Sequence, residues 1–371
     1  MDNVAQKRGK RRFISRLKKI LSNTMNYGGF YATKKNEKQV QKKKYIKNKN
    51  KFHLRNIKNK KEILYAPDYI DFYNVKNFPK TIYFLDKLKR MIRVGKKRVS
   101  INFDNTKKIT ASAMLSFLAE VDILINENEQ RAGFITFTHP KSEKIESILK
   151  QIGFYELLGK KTRHTKEFDD VSYWNYASGV TSETQRAEFA MKEIEIKIGF
   201  SAKRKLYKGF SEAMANCVEH AYLNCEINED QTKWWAFAGV KNDTLIVVIC
   251  DKGMGIPKSL PLTRSEEVIN NTLNLLSLNR RKDSAMIKVA SKMGKTRTKA
   301  GNRGKGLSDV RSIIDKFKIG SLSIYSNKGY YRYYGHNDKI YDKLKDYPYS
   351  VCGTIVEWSI PLSIDNKEVV L

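Results

Sequence analysis

The sequence lacks any paired-cysteine motif. Its four cysteines, Cys217, Cys225, Cys250 and Cys352, form no C-x-x-C, and the five histidines do not gather beside them. That spacing indicates no zinc site. Cys217 and Cys250 fall inside apolar segments, which predicts buried free thiols and a reducing, cytoplasmic setting. Long apolar runs are missing as well: no stretch approaches the roughly 18 residues that cross a bilayer, so no transmembrane segment is expected. The basic opening at 1–12 is followed by neither an apolar core nor a small-residue cleavage site, which argues against secretion. Acids are in deficit, with 39 Asp and Glu against 71 Lys and Arg and a net charge of +32. Such a field attracts polyanions, and its sign alone does not choose among nucleic acid, an anionic membrane surface and an acidic protein. Lys, Asn and Ile are also all abundant, as AT-biased codon usage produces, so the charge has a bland source too.

What is present suffices for a folded chain. Its 371 residues exceed one ordinary domain core, and 41% are hydrophobic, enough to offset the entropy of ordering. Residues 1–61 carry about twenty Lys and Arg with few acids and read as a basic arm. Ile14, Leu17, Ile20 and Leu21 are spaced for one short amphipathic helix within it. From residue 62 to 160 the pattern becomes compact. Residues 99–103 and 133–138 alternate as strands, whereas 111–125 and 142–152 carry helical spacing, the second helix closing at Gly153. Residues 161–180 show little periodicity and read as a linker. A helix is expected at 184–198, opening a further domain over 181–371.

The strand–helix–strand–helix order, with the stretch 142–158, resembles the STAS family of anti-sigma-factor antagonists over about eighty residues. In that family a D-S-S-G turn starts the first helix, and its first serine accepts a phosphate. The matching residues here are Thr110, Ala111, Ser112 and Ala113. Ala111 stands where the acceptor would be, leaving Ser112 as a substitute acceptor or simply a helix cap.

Three segments further on carry chemistry. Residues 206–223 form an apolar-striped helix on which Glu212 and Asn216 stand four apart, one turn from each other on one face. Beside a nucleotide, a carboxylate can orient or deprotonate a nucleophile and an amide oxygen can ligate magnesium; an ordinary solvated helix face has the same spacing. Leu245-Ile-Val-Val-Ile-Cys-Asp-Lys-Gly-Met-Gly-Ile-Pro257 is a buried-strand run ending in D-x-G-x-G. Asp251 can accept a hydrogen bond from an exocyclic amine, and Gly253 and Gly255 let backbone approach a flat base; a plain strand-to-turn junction reads the same way. The glycine-rich turn at 301–306 feeds an amphipathic helix, presenting backbone N–H groups and a positive helix end to phosphate. Each pattern taken singly is common.

In this order, and with the closing strand at 352–361, the segments resemble the N box and the two glycine boxes of the GHKL proteins. That group includes DNA gyrase, heat-shock chaperones, mismatch-repair ATPases, histidine kinases and anti-sigma-factor kinases, and the E-A-x-x-N-x-x-x-H pattern from Glu212 to His220 is closest to the last. The resemblance implies ATP and Mg2+ as cofactors. Glu212 would be the catalytic base, Asn216 the magnesium ligand and Asp251 the adenine reader, with Gly253 and Gly255 forming the base-pocket turn. Arg303, Gly304, Lys305 and Gly306 would hold phosphates, and Thr354 would reach toward the nucleotide. Residues 256–303 would be the lid, helical from about 265 to 292.

The expected fold is a two-domain protein of α/β and α+β class. A small STAS-like sheet-and-helix domain precedes a GHKL α/β sandwich whose mixed sheet is covered by helices on one face. The expected function is a magnesium-dependent ATPase or protein serine kinase with ATP-driven lid closure under a STAS-like regulator. The competing reading is an ATP-gated binding switch gripping nucleic acid or an acidic protein through arm and lid. ATP, a regulatory protein, nucleic acid at the basic arm and a second copy in a homodimer are the partners these readings admit.

Overall fold

The computed structural model describes residues 61–128, 133–166, 168, 172–181, 198–223, 232–279, 282–293 and 307–367. The arm at 1–60, all but the last residue of the helix expected at 184–198, and the glycine-rich turn with Arg303, Gly304, Lys305 and Gly306 lie outside them. Residues Lys61–Leu371 make one compact unit of mixed α and β structure with several sheets.

The first part alternates strand and helix. Strands β1 (Lys61–Tyr65), β3 (Arg98–Asn102) and β5 (Ile135–Phe137) form a parallel sheet in the order β1-β3-β5, while β2 (Tyr69–Ile70) pairs with β4 (Lys108–Ile109). Helices α1 (Phe78–Lys89), α2 (Ala111–Asn126), α3 (Glu143–Gln151) and α4 (Phe154–Leu157) connect and cover them. Helix α3 starts where Ser142 accepts the Ile145 N–H, and Gly153 follows its end with φ of 75°, the left-handed stop that glycine allows.

The second part is one seven-stranded sheet, in the order β11-β10-β9-β12-β8-β7-β6. Its strands are β6 (Ser172–Gly179), β7 (Trp234–Lys241), β8 (Thr244–Asp251), β9 (Ser321–Ser326), β10 (Gly329–His336), β11 (Lys339–Asp346) and β12 (Thr354–Pro361). Every pairing is antiparallel, so the expected mixed sheet is replaced by an antiparallel one. Residues 172–179, read from sequence as linker, are its edge strand β6, paired with β7 from Ser172↔Val240 to Gly179↔Trp234. A two-residue turn at Asn242 and Asp243, both at positive φ, joins β7 to β8, as tight hairpins require.

Side-chain alternation sends the two faces of this sheet to different cores. Trp234, Ala236, Val247, Ile249, Val356 and Trp358 pack against α5 (Phe200–Glu219) and α9 (Leu307–Phe317). Trp235, Phe237, Val248, Cys250, Tyr325 and Ile355 instead join the core of the first part. Both faces are thus covered, one by helices and the other by the α2 side of the first part. Helix α2 accordingly buries Ser112, Ser116, Glu120 and Asp122 along with its apolar residues. Full burial of each large apolar side chain contributes roughly 1.5–3 kcal/mol, and Trp235 and Phe237 place that stabilisation at the seam.

The segment between the two glycine-bearing motifs holds α6 (Ile256–Thr263), α7 (Glu266–Leu275) and α8 (Asp283–Lys292). The single helix expected over 265–292 is interrupted. Helix α7 ends at Leu275 with Leu276 as its C-cap, and Ser277 takes φ of 50°, a left-handed turn that halts helix propagation. No helix among the described residues is long and apolar enough to cross a membrane.

Candidate functional site

The end of α5, the end of β8, the start of α6 and the start of β12 enclose a cleft of about 390 Å³. Glu212, Asn216, Asp251, Gly255 and Thr354 all line it, with Leu307 at the start of α9. The sequence brings them together by two periodicities. Ala213, Met214 and Cys217 turn into the helix-side core, leaving Glu212 and Asn216 together on the cleft side. On β8, Val247, Ile249 and Asp251 share one sheet face, so the strand that anchors the core by its middle offers Asp251 at its end.

Asp251 is the electrostatic centre of the cleft. It is 4% exposed, and its Oδ1 accepts the Gly253 N–H at 2.9 Å and the Thr354 N–H at 3.2 Å. Its Oδ2 accepts the Cys217 thiol at 3.8 Å. Burial pushes its carboxyl up to about 6, against the pull of those two backbone N–H groups and of Lys252. Burial also raises the Cys217 thiol, with the Asp251 charge adding to it, so this cysteine stays a neutral donor. Asn216 commits its amide nitrogen to the Glu212 main-chain carbonyl at 2.8 Å. Its amide oxygen is then the group offered to a ligand.

The turn after Asp251 needs its glycines. A Cβ on Gly253 would stand 2.0 Å from the Ala221 carbonyl oxygen, because Met254 donates its N–H to that carbonyl at 2.7 Å and draws the turn against the end of α5. Gly255 has φ of 80°, and a Cβ there would press on Asn327 and Ser326.

Those two neighbours, with Tyr222, are supports that sequence reading missed. Ser326 is fully buried; its Oγ accepts the Ile256 N–H at 2.8 Å and lies 3.0 Å from the Thr354 hydroxyl. Asn327 donates to the Met254 carbonyl at 2.8 Å. The Tyr222 hydroxyl donates to the Lys233 carbonyl and accepts the Lys252 N–H. Ser326 and Asn327 sit at a strand end far along the chain, with no local pattern to mark them. Tyr222 stands two residues past His220, within the 206–223 segment but outside the Glu212–His220 pattern.

Ser112 is in a different place. It is fully buried at the start of α2, on the reverse face of the sheet, where its hydroxyl donates to Glu357 of β12. Tyr73 donates to the same carboxylate at 2.8 Å. Glu357 lies between Val356 and Trp358, whose side chains face the helices, and burial raises its carboxyl although Ser112 and Tyr73 pull it down. Through Ser112, this buried carboxyl meets the first turn of α2.

Compared with protein-family models and with curated proteins, the chain matches none.

Proposed function

We propose that the cleft between α5, β8 and β12 binds ATP and that the protein is an ATPase of the GHKL type. The observation that carries this reading is the convergence of Glu212, Asn216, Asp251 and Thr354, from three separated segments, on one cleft. Its volume suits a small-molecule ligand.

Asp251 is the group for the adenine amine. Both backbone N–H groups bond Oδ1, so Oδ2, which accepts only the long Cys217 thiol contact, keeps a lone pair for the amine, and the glycine turn beside it leaves room for a flat base. Glu212 stands one helical turn from Asn216 on the same cleft wall, positioned to orient an attacking water or take its proton. The residues present fit magnesium of the nucleotide-borne kind: Asn216 offers one amide oxygen, and among the described residues no cluster of three carboxylates, imidazoles or thiols would form an all-protein cage. Bound there with phosphate oxygens, the metal would neutralise their charge. Arg303, Gly304, Lys305 and Gly306 immediately precede α9 in sequence, whose first residue Leu307 lines the cleft, and they are the phosphate holders in this reading.

Hydrolysis is favoured over transfer to the chain's own Ser112. That hydroxyl is buried behind the sheet and engaged by Glu357, so no phosphate in the cleft reaches it. The first part of the chain, STAS-like in this reading, then serves as a fixed backing of the nucleotide sheet. Equilibrium titration of the full chain with Mg-ATP tests the assignment. Saturable binding that Asp251→Asn weakens supports it, and binding unaffected by that change overturns it.

A further inference from the structure

A second cavity, of about 530 Å³, opens on the reverse face of the large sheet, at its seam with α2 and α3. Its floor is apolar: Ile109, Met114, Ile145, Ile148, Phe237 and Ile246 line it, and Met114, Ile145 and Phe237 are almost fully buried. Its rim is cationic. Lys107, Lys108, Lys144 and Lys241 border it, and among the described residues no Asp or Glu lines it. Lys107 also meets Asp68 at 3.5 Å, an exposed pair that leaves the rim positive.

An apolar pocket with ammonium groups at its mouth fits a ligand with the opposite arrangement: a hydrocarbon tail and one anionic head. Each buried methylene adds hydrophobic driving force, while the long lysine side chains reach a head group left in water. We propose that this cavity is a binding site for a single-chain anionic amphipath of the long-chain fatty-acid class. Phosphorylated sugars and free nucleotides are poor matches, since they would bury polar atoms against a floor that offers few partners. The site lies behind the nucleotide sheet, and Tyr73, which lines the cavity, bonds Glu357 of β12. It is independent of the ATP assignment and stands if that assignment fails.

The test is direct binding of palmitate to the full chain, below its micelle concentration, beside uncharged 1-hexadecanol. Saturable 1:1 palmitate binding is expected, with hexadecanol at least about tenfold weaker because it forgoes the lysine rim. Ile148→Trp, which fills the cavity from a half-buried position, weakens both ligands. Lys108→Glu combined with Lys241→Glu, at the rim, weakens palmitate alone and leaves the thermal melt of the protein near that of the wild type. Absence of saturable palmitate binding, equal affinity for hexadecanol, or indifference of palmitate binding to either set of substitutions overturns the proposal.

Discussion

Glu120 of α2 and Lys252, the residue after Asp251, form an ion pair of 3.1 Å with both side chains 5% exposed. Lys252 also donates to the Ser116 hydroxyl at 2.8 Å, and Glu120 lies 3.7 Å from Lys89. The turn that carries Asp251, Gly253 and Gly255 is therefore tied from behind to the first part of the chain. Removing one partner of a buried pair leaves the other charge uncompensated and costs about 3–5 kcal/mol. Glu120→Gln is expected to lower thermal stability by an amount in that range and to weaken nucleotide binding with it. Melting curves with and without Mg-ATP measure both effects, and an unchanged melt would remove the pair from the account.

The same pair sets a pH dependence. Burial opposes the charge of Glu120, yet Lys252 and Lys89 hold its carboxyl below its ordinary 4.5. A carboxylate depressed in the folded state stabilises the fold above its unfolded pKa and loses that contribution as pH falls through the folded one. Stability of the wild type should thus decline on acidification below about 4.5, and the Glu120→Gln variant should show a shallower decline over that window. Denaturant titrations at several acidic pH values give the two slopes, and identical slopes would contradict the assignment.

Asp251 behaves in the opposite sense. Burial raises its carboxyl to about 6, so it takes up a proton as pH falls through that value and loses acceptor capacity toward an adenine amine. ATP affinity is expected to fall from pH 7.5 to pH 5.2 more steeply than ATP's own phosphate titration requires. Asp251→Asn would turn an amide NH2 toward that amine, at a cost of roughly 1–3 kcal/mol in binding, and would abolish the carboxyl's share of the pH dependence. Calorimetry of both proteins at both pH values reads this directly. Equal pH profiles would remove Asp251 from contact with the base.

Gly253 offers a steric test. A methyl group there meets the Ala221 carbonyl at 2.0 Å, and the backbone on both sides is held by hydrogen bonds. Gly253→Ala is expected to cost about 1–3 kcal/mol of stability and to reduce ATP affinity by displacing Asp251. A variant as stable and as tight-binding as the wild type would show that the turn can move.

Much of the helix-side half was legible because its signals are local. The apolar stripe of α5, the run of β8 ending at Asp251 and the closing strand β12 each show in a window of at most 20 residues. The seam was not legible. Helix α2 is buried on nearly all sides, so Glu120 and Asp122, at positions a surface helix would give to solvent, are core residues. Asp122 there accepts the Trp235 indole N–H and pairs with Lys233, partners more than a hundred positions away that no periodicity announces. Strand β6 was read as linker because residues 172–179 show no clean alternation, and its pairing with β7 is made by tertiary contact. The break between α7 and α8 turns on one left-handed residue, Ser277, a type that carries no such signal in sequence.

The most direct measurement follows the terminal phosphate of labelled ATP. With Mg2+ and the full-length wild type, label should accumulate as free phosphate. Glu212→Ala should bind ATP as the wild type does while releasing phosphate at least about 100-fold more slowly, the scale expected for loss of a general base. Equal phosphate release by the two proteins would contradict the account of this cleft as a catalytic site.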